Sequence, residues 1–253
     1  MARYFLEVAY LGTPFLGFQI QDEGSTIQGE LNRALQVLLK CPIETTTSSR
    51  TDAGVHAAQN FFHWDFDGPL PKTFIYNINA MLPEGIALTN CYIVPNEAHS
   101  RFDAIARRYR YSIHAFKDPF LQHRSYYFPF PLNEDLLHAT AKILMKHTDF
   151  TSFSKKNTDV KTFNCNIHEA EWYRDEHTWQ FRVKANRFLR GMVKALVGTQ
   201  LQVARGKLSL EQFESIITAR NPQGADFSPP SEGLFLEQVY YPEHLLQNPI
   251  PHR

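Results

Sequence analysis

The sequence predicts an α+β protein with two similar halves, in which mixed or antiparallel sheets are flanked by helices. Segments whose apolar residues alternate, as in half-buried strands, are interleaved with segments whose apolar residues recur at helical spacing. The order strand, helix, strand, helix, strand precedes residues 95–106, and a second series of strands and helices follows them. The 253 residues suit one large domain or two modest ones. We therefore expect halves at 1–100 and 101–253.

The first half begins with a strand at 3–10, where alternate residues are apolar. After a turn-rich stretch, a helix is expected to open at Ser25, with Gln28 completing a capping box, and to end near Lys40. The remaining elements of this half are a strand at 60–66, a helix at 71–81 and a strand at about 86–94.

The second half opens with a strand at 107–115, where tyrosines and arginines alternate. Asn133 is expected to cap a helix with an apolar stripe. The remaining elements are paired strands at 166–173 and 178–184, a long helix at 187–203, a helix from Ser209 to Arg220 and a strand at 234–240.

The composition limits the class of protein. The formal net charge is zero, because 26 Lys and Arg residues balance 26 Asp and Glu residues. This excludes a protein whose whole surface binds polyanions but allows a local basic groove. Three widely spaced cysteines without a CxxC pair are typical of a cytosolic protein. The N-terminus lacks a signal-peptide pattern and no apolar run is long enough for a membrane span, so we expect a cytoplasmic protein.

Asp52 is the first candidate for chemistry. It lies in a polar loop, SSRTDAGVH at 48–56, between a predicted helix and a predicted strand. Small neighbours would let a base approach its carboxylate, and Arg50 favours the ionised form. The alternative is a turn in which Asp and Thr bond backbone amides and Gly54 supplies a positive φ. On the residues alone, the turn is the favoured interpretation.

Arginines and tyrosines interleave in the strand that begins the second half. Arg107, Arg108 and Arg110 could hold phosphates while Tyr109 stacks on a base. The equally weighted alternative is an exposed strand with tyrosines in the core.

Residues 177–210 contain seven cations and no acid. Arg187, Arg190 and Lys194 are spaced to form one stripe on the predicted long helix. A solvated face normally carries both signs of charge, so this segment favours polyanion binding over a plain surface.

A metal site is the competing interpretation for the histidines, because His56, His63, Asp65 and Asp67 lie close in sequence. No HExxH motif or paired Cys/His spacing accompanies them, and no Walker A or strand-associated GxGxxG motif occurs. We therefore expect neither a metal nor a nucleotide cofactor.

Together these segments resemble the TruA family of tRNA pseudouridine synthases. SSRTDAGVHA is similar to that family's catalytic loop, IARRYRYSI to its second motif and KANRFLRGMVKALVG to its third. YLGTPFLGFQIQ, STIQGELNRAL, HSRFDAIARRYRY, DFTSF and EGLFL also match, in the expected order over nearly the whole chain. The resemblance reverses the preference for a plain turn around Asp52.

The resemblance implies a role for each matching residue. Asp52 would be the catalytic aspartate, Arg50 the arginine of its loop and Tyr109 the active-site tyrosine that packs on the target base. Lys194 stands where the family usually has an arginine. The lysine keeps the positive charge but cannot make the bidentate contacts of a guanidinium group. Leu11 stands where the family commonly has an aspartate.

The implied reaction breaks the C1′–N1 bond of uridine, rotates the uracil and forms a C1′–C5 bond, without cofactor or metal. An ionised Asp52, paired with Lys194 or Arg50, would carry out this reaction on the uridine. An apolar wall including Leu234 and Leu236 would exclude water from the detached uracil. The resemblance also implies a homodimer with an active-site cleft between the halves, acting on tRNA anticodon-arm positions 38 to 40. The alternatives are a non-catalytic RNA-binding module and, third, a metal-dependent hydrolase.

Overall fold

The computed structural model describes residues 1–156, 160–176 and 178–251 and divides into two compact units, Met1–Ile105 with Phe235–Arg253 and Ala106–Leu234. The predicted α+β class is confirmed, because each unit combines a sheet with helices. No helix in the described ranges is long and apolar enough to cross a membrane. The strands and helices follow the chain as β1 (Ala2–Tyr10), α1 (Ile27–Leu39), β2 (Thr46–Thr47), β3 (His56–Phe66), α2 (Phe74–Met81), β4 (Ile86–Val94), β5 (Ala106–His114), β6 (Tyr126–Tyr127), α3 (Glu134–Leu144), β7 (Ile167–Arg174), β8 (Thr178–Ala185), α4 (Met192–Ala204), α5 (Leu210–Thr218) and β9 (Leu234–Tyr240).

The sheet of the first unit has the strand order β4, β1, β3, β9, and β2 pairs with β3. β1 is antiparallel to both β3 and β4, and its alternating residues fill the core as predicted. Leu6, Phe62 and Leu31 have no exposed surface, and Phe5, on the opposite face of β1, is also completely buried. β2 enters the loop that carries Asp52 and β3 leaves it, so this sheet positions both ends of the loop.

β9 joins the first unit, whereas the sequence prediction placed residues 234–240 in the second half. It pairs in parallel with β3, with His56 opposite Phe235 and Ala57 opposite Leu236. The Val239 N–H also donates to the Gln59 side chain (3.0 Å), 180 positions away in sequence. No local periodicity encodes so distant a partner. The pairing forms because it satisfies backbone groups along that side of β3.

The predicted capping box at the start of α1 is wrong. Thr26 is the N-cap, and its hydroxyl accepts from the Gly29 N–H (3.2 Å). The Ser25 hydroxyl donates to Glu30 instead (2.8 Å). Gln28 donates to the Thr45 carbonyl (2.6 Å), so its side chain ties α1 to the strand that leads into the Asp52 loop.

The second unit contains an antiparallel sheet in the order β5, β8, β7, with β6 parallel to β5. The Asn133 cap is confirmed by its bond from the Leu136 N–H (3.1 Å). Gln200, buried in α4, accepts from Trp172 of β7 (2.9 Å) and from Thr140 of α3 (3.1 Å). This satisfied polar group fixes both helices against the sheet.

α4 begins at Met192, not at the predicted residue 187. Gly191 stands before it at φ 75°, a left-handed conformation that ends the preceding irregular segment. Arg187 and Arg190 therefore precede the helix, and the predicted stripe of three cations on one helix is wrong. Nearly every side chain of α4 is buried, so the helix has little surface for such a stripe.

Candidate active site

The Asp52 loop has an immobilised backbone and an exposed carboxylate. The Thr51 carbonyl accepts from the Phe18 N–H (3.1 Å), and the Asp52 carbonyl accepts from the Val55 N–H (3.1 Å). Asp52 itself is exposed. The carboxylate therefore projects into solvent from a backbone fixed on both sides.

A buried polar network supports the first part of the loop. Asn60 of β3 has no exposed surface, and its Oδ1 accepts from the Ser48 hydroxyl (2.8 Å). Its amide donates to the Ser49 carbonyl (2.9 Å) and to the Tyr10 hydroxyl (3.0 Å). Tyr10 is in turn 2.9 Å from the Thr51 hydroxyl. Sequence reasoning missed this role, although an asparagine inside an apolar strand run was a signal of it.

Two glycines let the chain after β1 pack closely on the loop. A Cβ on Gly12 would lie 2.1 Å from the Val55 carbonyl oxygen. A Cβ on Gly17, which has φ +95°, would lie 3.1 Å from the Ala53 nitrogen. The segment GTPFLG therefore needs glycine at both positions, because backbone approaches backbone there. Leu11, directly before Gly12, is exposed and donates its N–H to the Gly85 carbonyl (2.9 Å).

His56 and His63 are both buried structural groups. The Gly12 N–H donates to His56 Nδ1 (3.1 Å), and the His56 ring stacks on Phe235 of β9 at 4.4 Å. His63 Nδ1 accepts from the Ser100 N–H (3.2 Å). Burial, helped by nearby cationic groups, lowers the pKa of His63 to about 4, so this ring is neutral near pH 7. In the described part of the chain, no three His, Cys, Asp or Glu side chains are grouped to hold a metal ion.

Arg50, predicted to support Asp52, is exposed in the same loop. Within the described ranges, its guanidinium forms no ion pair with the Asp52 carboxylate. The loop is held by its backbone hydrogen bonds and by Asn60. The catalytic role of Arg50 stays a prediction.

Tyr109 lies on β5 of the second unit, half-buried and opposite Val183 of β8. The Phe188 ring meets it edge to face, with the centroids 4.9 Å apart. Phe188 comes from the irregular segment before α4. A residue of the motif KANRFLRGMVKALVG therefore positions Tyr109 of the motif IARRYRYSI.

The arginines of β5 face other cations. Arg108 is opposite Lys184 and Arg110 opposite Arg182 across β5 and β8, and Arg107 donates to the Asn186 carbonyl (3.4 Å). Like charges directly opposite each other are unfavourable. Acids on β7 offset this charge, because Glu169 and Glu171 oppose Lys184 and Arg182 from the other side.

The remaining predicted residues are Lys194, Leu234 and Leu236. Lys194 is half-buried in the first turn of α4, and its Nζ donates to the Ser231 hydroxyl (3.4 Å). Leu234 is 7% exposed and Leu236 is completely buried. Leu236 packs opposite Ala57 at the exit of the Asp52 loop, which makes it a residue that supports the loop from the interior.

Comparison with known proteins identifies related chains. A family model described as tRNA pseudouridine synthase matches residues 141–242. The chain is 42% identical over 247 residues to tRNA pseudouridine synthase A of Parabacteroides distasonis, covering 97% of this chain and 98% of that protein. The protein of the same name from Bacteroides fragilis is 44% identical over 248 residues, with 97% and 98% covered. One from Staphylococcus aureus is 33% identical over 247 residues, with 96% and 94% covered.

Proposed function

The chain belongs to the tRNA pseudouridine synthase A family, and we propose that it isomerises uridine to pseudouridine in tRNA through the Asp52 carboxylate. One observation carries the assignment of Asp52: this exposed residue stands on a backbone held by hydrogen bonds on both sides. A reacting group gains most from such fixed placement, because the ordering cost is met during folding rather than during the reaction.

The reaction needs no exchange of electrons with a cofactor. The C1′–N1 bond breaks, the C1′–C5 bond forms, C5 loses its proton and N1 gains one. We propose that the ionised Asp52 acts as the nucleophile, either at C1′ or on the base, or as the base that removes the sugar proton at C2′. The target nucleotide has to leave its stack to reach a group on the protein surface.

The other predicted residues support this step in our proposal. Arg50 and Lys194 supply positive charge that favours the ionised carboxylate. Tyr109, oriented by Phe188, stacks on the base. Leu234 contributes the apolar wall around the detached uracil, and Leu236 backs it from the core.

We further propose that the substrate uridines lie in the anticodon arm, at tRNA positions 38 to 40, and that the enzyme acts as a cytoplasmic homodimer. These finer assignments are supported by the resemblance of the three motifs and by the full-length similarity to the bacterial relatives. Sequencing of pseudouridines in total tRNA with and without this gene tests the positions.

The catalytic assignment is tested with tRNA labelled with tritium at C5 of uridine. Tritium is released only when C5 loses its hydrogen, so release measures isomerisation directly. The wild type should release it, whereas Asp52→Asn should release none above background while retaining tRNA binding. Asp67→Asn, an exposed acid at the far end of β3, is the matched control and should behave like the wild type.

Residual turnover of Asp52→Asn within about tenfold of the wild type would exclude Asp52 as the essential group. Binding without release by the wild type would instead indicate the non-catalytic RNA-binding module.

A further inference from the structure

The segment before α4 is held in place by contacts with two distant stretches of the second unit. The Asn186 N–H donates to the Asn166 carbonyl (3.1 Å), and the Asn166 N–H donates to the Asn186 side chain (2.8 Å). Further along, the Lys155 N–H donates to the Arg190 carbonyl (2.9 Å). These bonds bring the end of the DFTSFSKK stretch to the arginines of the third motif.

Gly191 makes this approach possible. A Cβ at Gly191 would lie 3.1 to 3.4 Å from three side-chain carbons of Lys155. The lysine stem therefore lies against the glycine backbone. Such packing of the stem leaves the ammonium group at the surface. Lys155 is half-buried, and the next residue, Lys156, is exposed.

The meeting of these segments places Lys155 beside Arg190. The cation cluster is defined here as these two residues with their neighbours in sequence, Lys156 and Arg187. In the described part of the chain, no acid forms an ion pair with any of the four. Other cations of the same unit are paired: Arg220 lies 2.9 Å from Asp149, and Arg174 lies 3.6 Å from Glu134.

The start of α4 adds to the positive potential. Gly191 caps the helix without a side-chain hydrogen bond, and the first turn contains no acid. The positive end of the helix dipole is therefore not offset locally. Four cations without acids, beside a helix start of the same sign, favour an anionic partner.

We propose that the cation cluster is a phosphate-binding site for the tRNA backbone, in which Lys155 and Lys156 act together with Arg187 and Arg190. The identity of the RNA rests on the proposed function. The guanidinium groups suit bidentate contacts with phosphate oxygens, and the lysines act as point charges beside them. No pattern in the sequence joins Lys155 to Arg190, because they are 35 positions apart and only the folded chain brings them together.

Equilibrium binding of tRNA as a function of salt tests this site. The variant Lys155→Gln with Lys156→Gln keeps the side-chain stems and removes both charges. Each phosphate contact contributes roughly 0.9 to the slope of log affinity against log salt on duplex regions. We expect the slope to decrease by about two in this variant, and by about two in Arg187→Ala with Arg190→Ala.

The matched control is Lys142→Gln with Lys146→Gln, which removes two charges from exposed positions in and after α3 of the same unit. Its slope should equal that of the wild type. Thermal unfolding of each variant verifies that the fold is retained. An unchanged slope in the Lys155 and Lys156 variant, or an equal decrease in the control, would overturn the proposal.

Binding and turnover separate this proposal from the proposed function. The slope is measured at equilibrium and does not require catalysis. If the wild type releases no tritium but the slope still decreases in the cluster variant, the proposed function fails and the phosphate site stands. If the wild type releases tritium normally and the slope does not change in the cluster variant, the proposed function stands and the phosphate site fails.

Discussion

The Asp52 loop at 48–56 and the segment at 186–191 are both irregular stretches with proposed roles, but they are held in different ways. Backbone hydrogen bonds hold both stretches, and the loop is held in addition by a buried side chain, because Asn60 bonds to it from β3. Backbone hydrogen bonds hold the segment at its ends, while the side chains of Arg187 and Arg190 remain unpaired with acids of the described chain.

This difference reflects what the two chemistries need. A reacting carboxylate has to occupy one position to within a fraction of an ångström, so its loop is fixed by a complete polar network. A cation that attracts phosphate acts over a screening distance of about 8 Å at physiological salt, so its side chain can move without losing its effect. Variants of the loop should therefore change turnover, and variants of the segment should change salt-dependent binding.

After the loss of the Asp52 carboxylate itself, the largest expected effect comes from Asn60→Ala. The substitution removes the partner of Ser48, Ser49 and Tyr10 and releases the loop. We expect single-turnover release of tritium to fall by about 100-fold, the usual order for a misplacement of about 1 Å, while tRNA affinity changes little.

Asn79→Ala is the control for Asn60→Ala. Asn79 makes two hydrogen bonds to Leu88 in the same unit but none to the loop. Its loss should lower the melting temperature without lowering turnover at temperatures well below melting. An equal loss of turnover in both variants would show that the Asn60 network affects turnover only through the overall stability of the protein.

Lys194→Ala is a direct test of the division between the two regions, because Lys194 follows the cation segment in sequence but is assigned to the reaction. In our proposal the positive charge of Lys194 favours the ionised form of the Asp52 carboxylate, so its removal favours the protonated form, which cannot act as a nucleophile. We expect the single-turnover rate at saturating tRNA to fall about tenfold, equivalent to about 1.4 kcal/mol, and Lys194→Arg to be tolerated.

A normal single-turnover rate with weaker binding in Lys194→Ala would assign this lysine to phosphate contact. The boundary between residues that bind phosphate and residues that act in the reaction would then lie within α4 rather than before it.

The smallest expected effect is on binding by Tyr109 variants. Base stacking on an aromatic ring contributes about 1–3 kcal/mol. Because the ring is half-buried against Phe188, we expect Tyr109→Ala to lose about 1 kcal/mol of tRNA binding, or about fivefold in Kd. Tyr109→Phe should keep that affinity, although it can lose turnover if the hydroxyl relays a proton. Equal affinity of the two variants in a filter-binding titration would exclude the stacking role.

The sequence by itself determined the elements whose signals are local. The alternation in β1, the bounds of β4 at Ile86–Val94 and the Asn133 cap follow from periods of 2 and 3.6 residues and from capping chemistry. Asp52 was also found from sequence, but through the resemblance of its motif, since the residues alone favoured a turn.

The tertiary structure decided how these elements meet. It placed β9 beside β3, used Gln28 for a contact with Thr45 instead of a capping box, and began α4 after Gly191. It also joined Asn60 to the Asp52 loop and Lys155 to Arg190. These outcomes depend on partners that are not neighbours in sequence and that only the folded chain brings into contact.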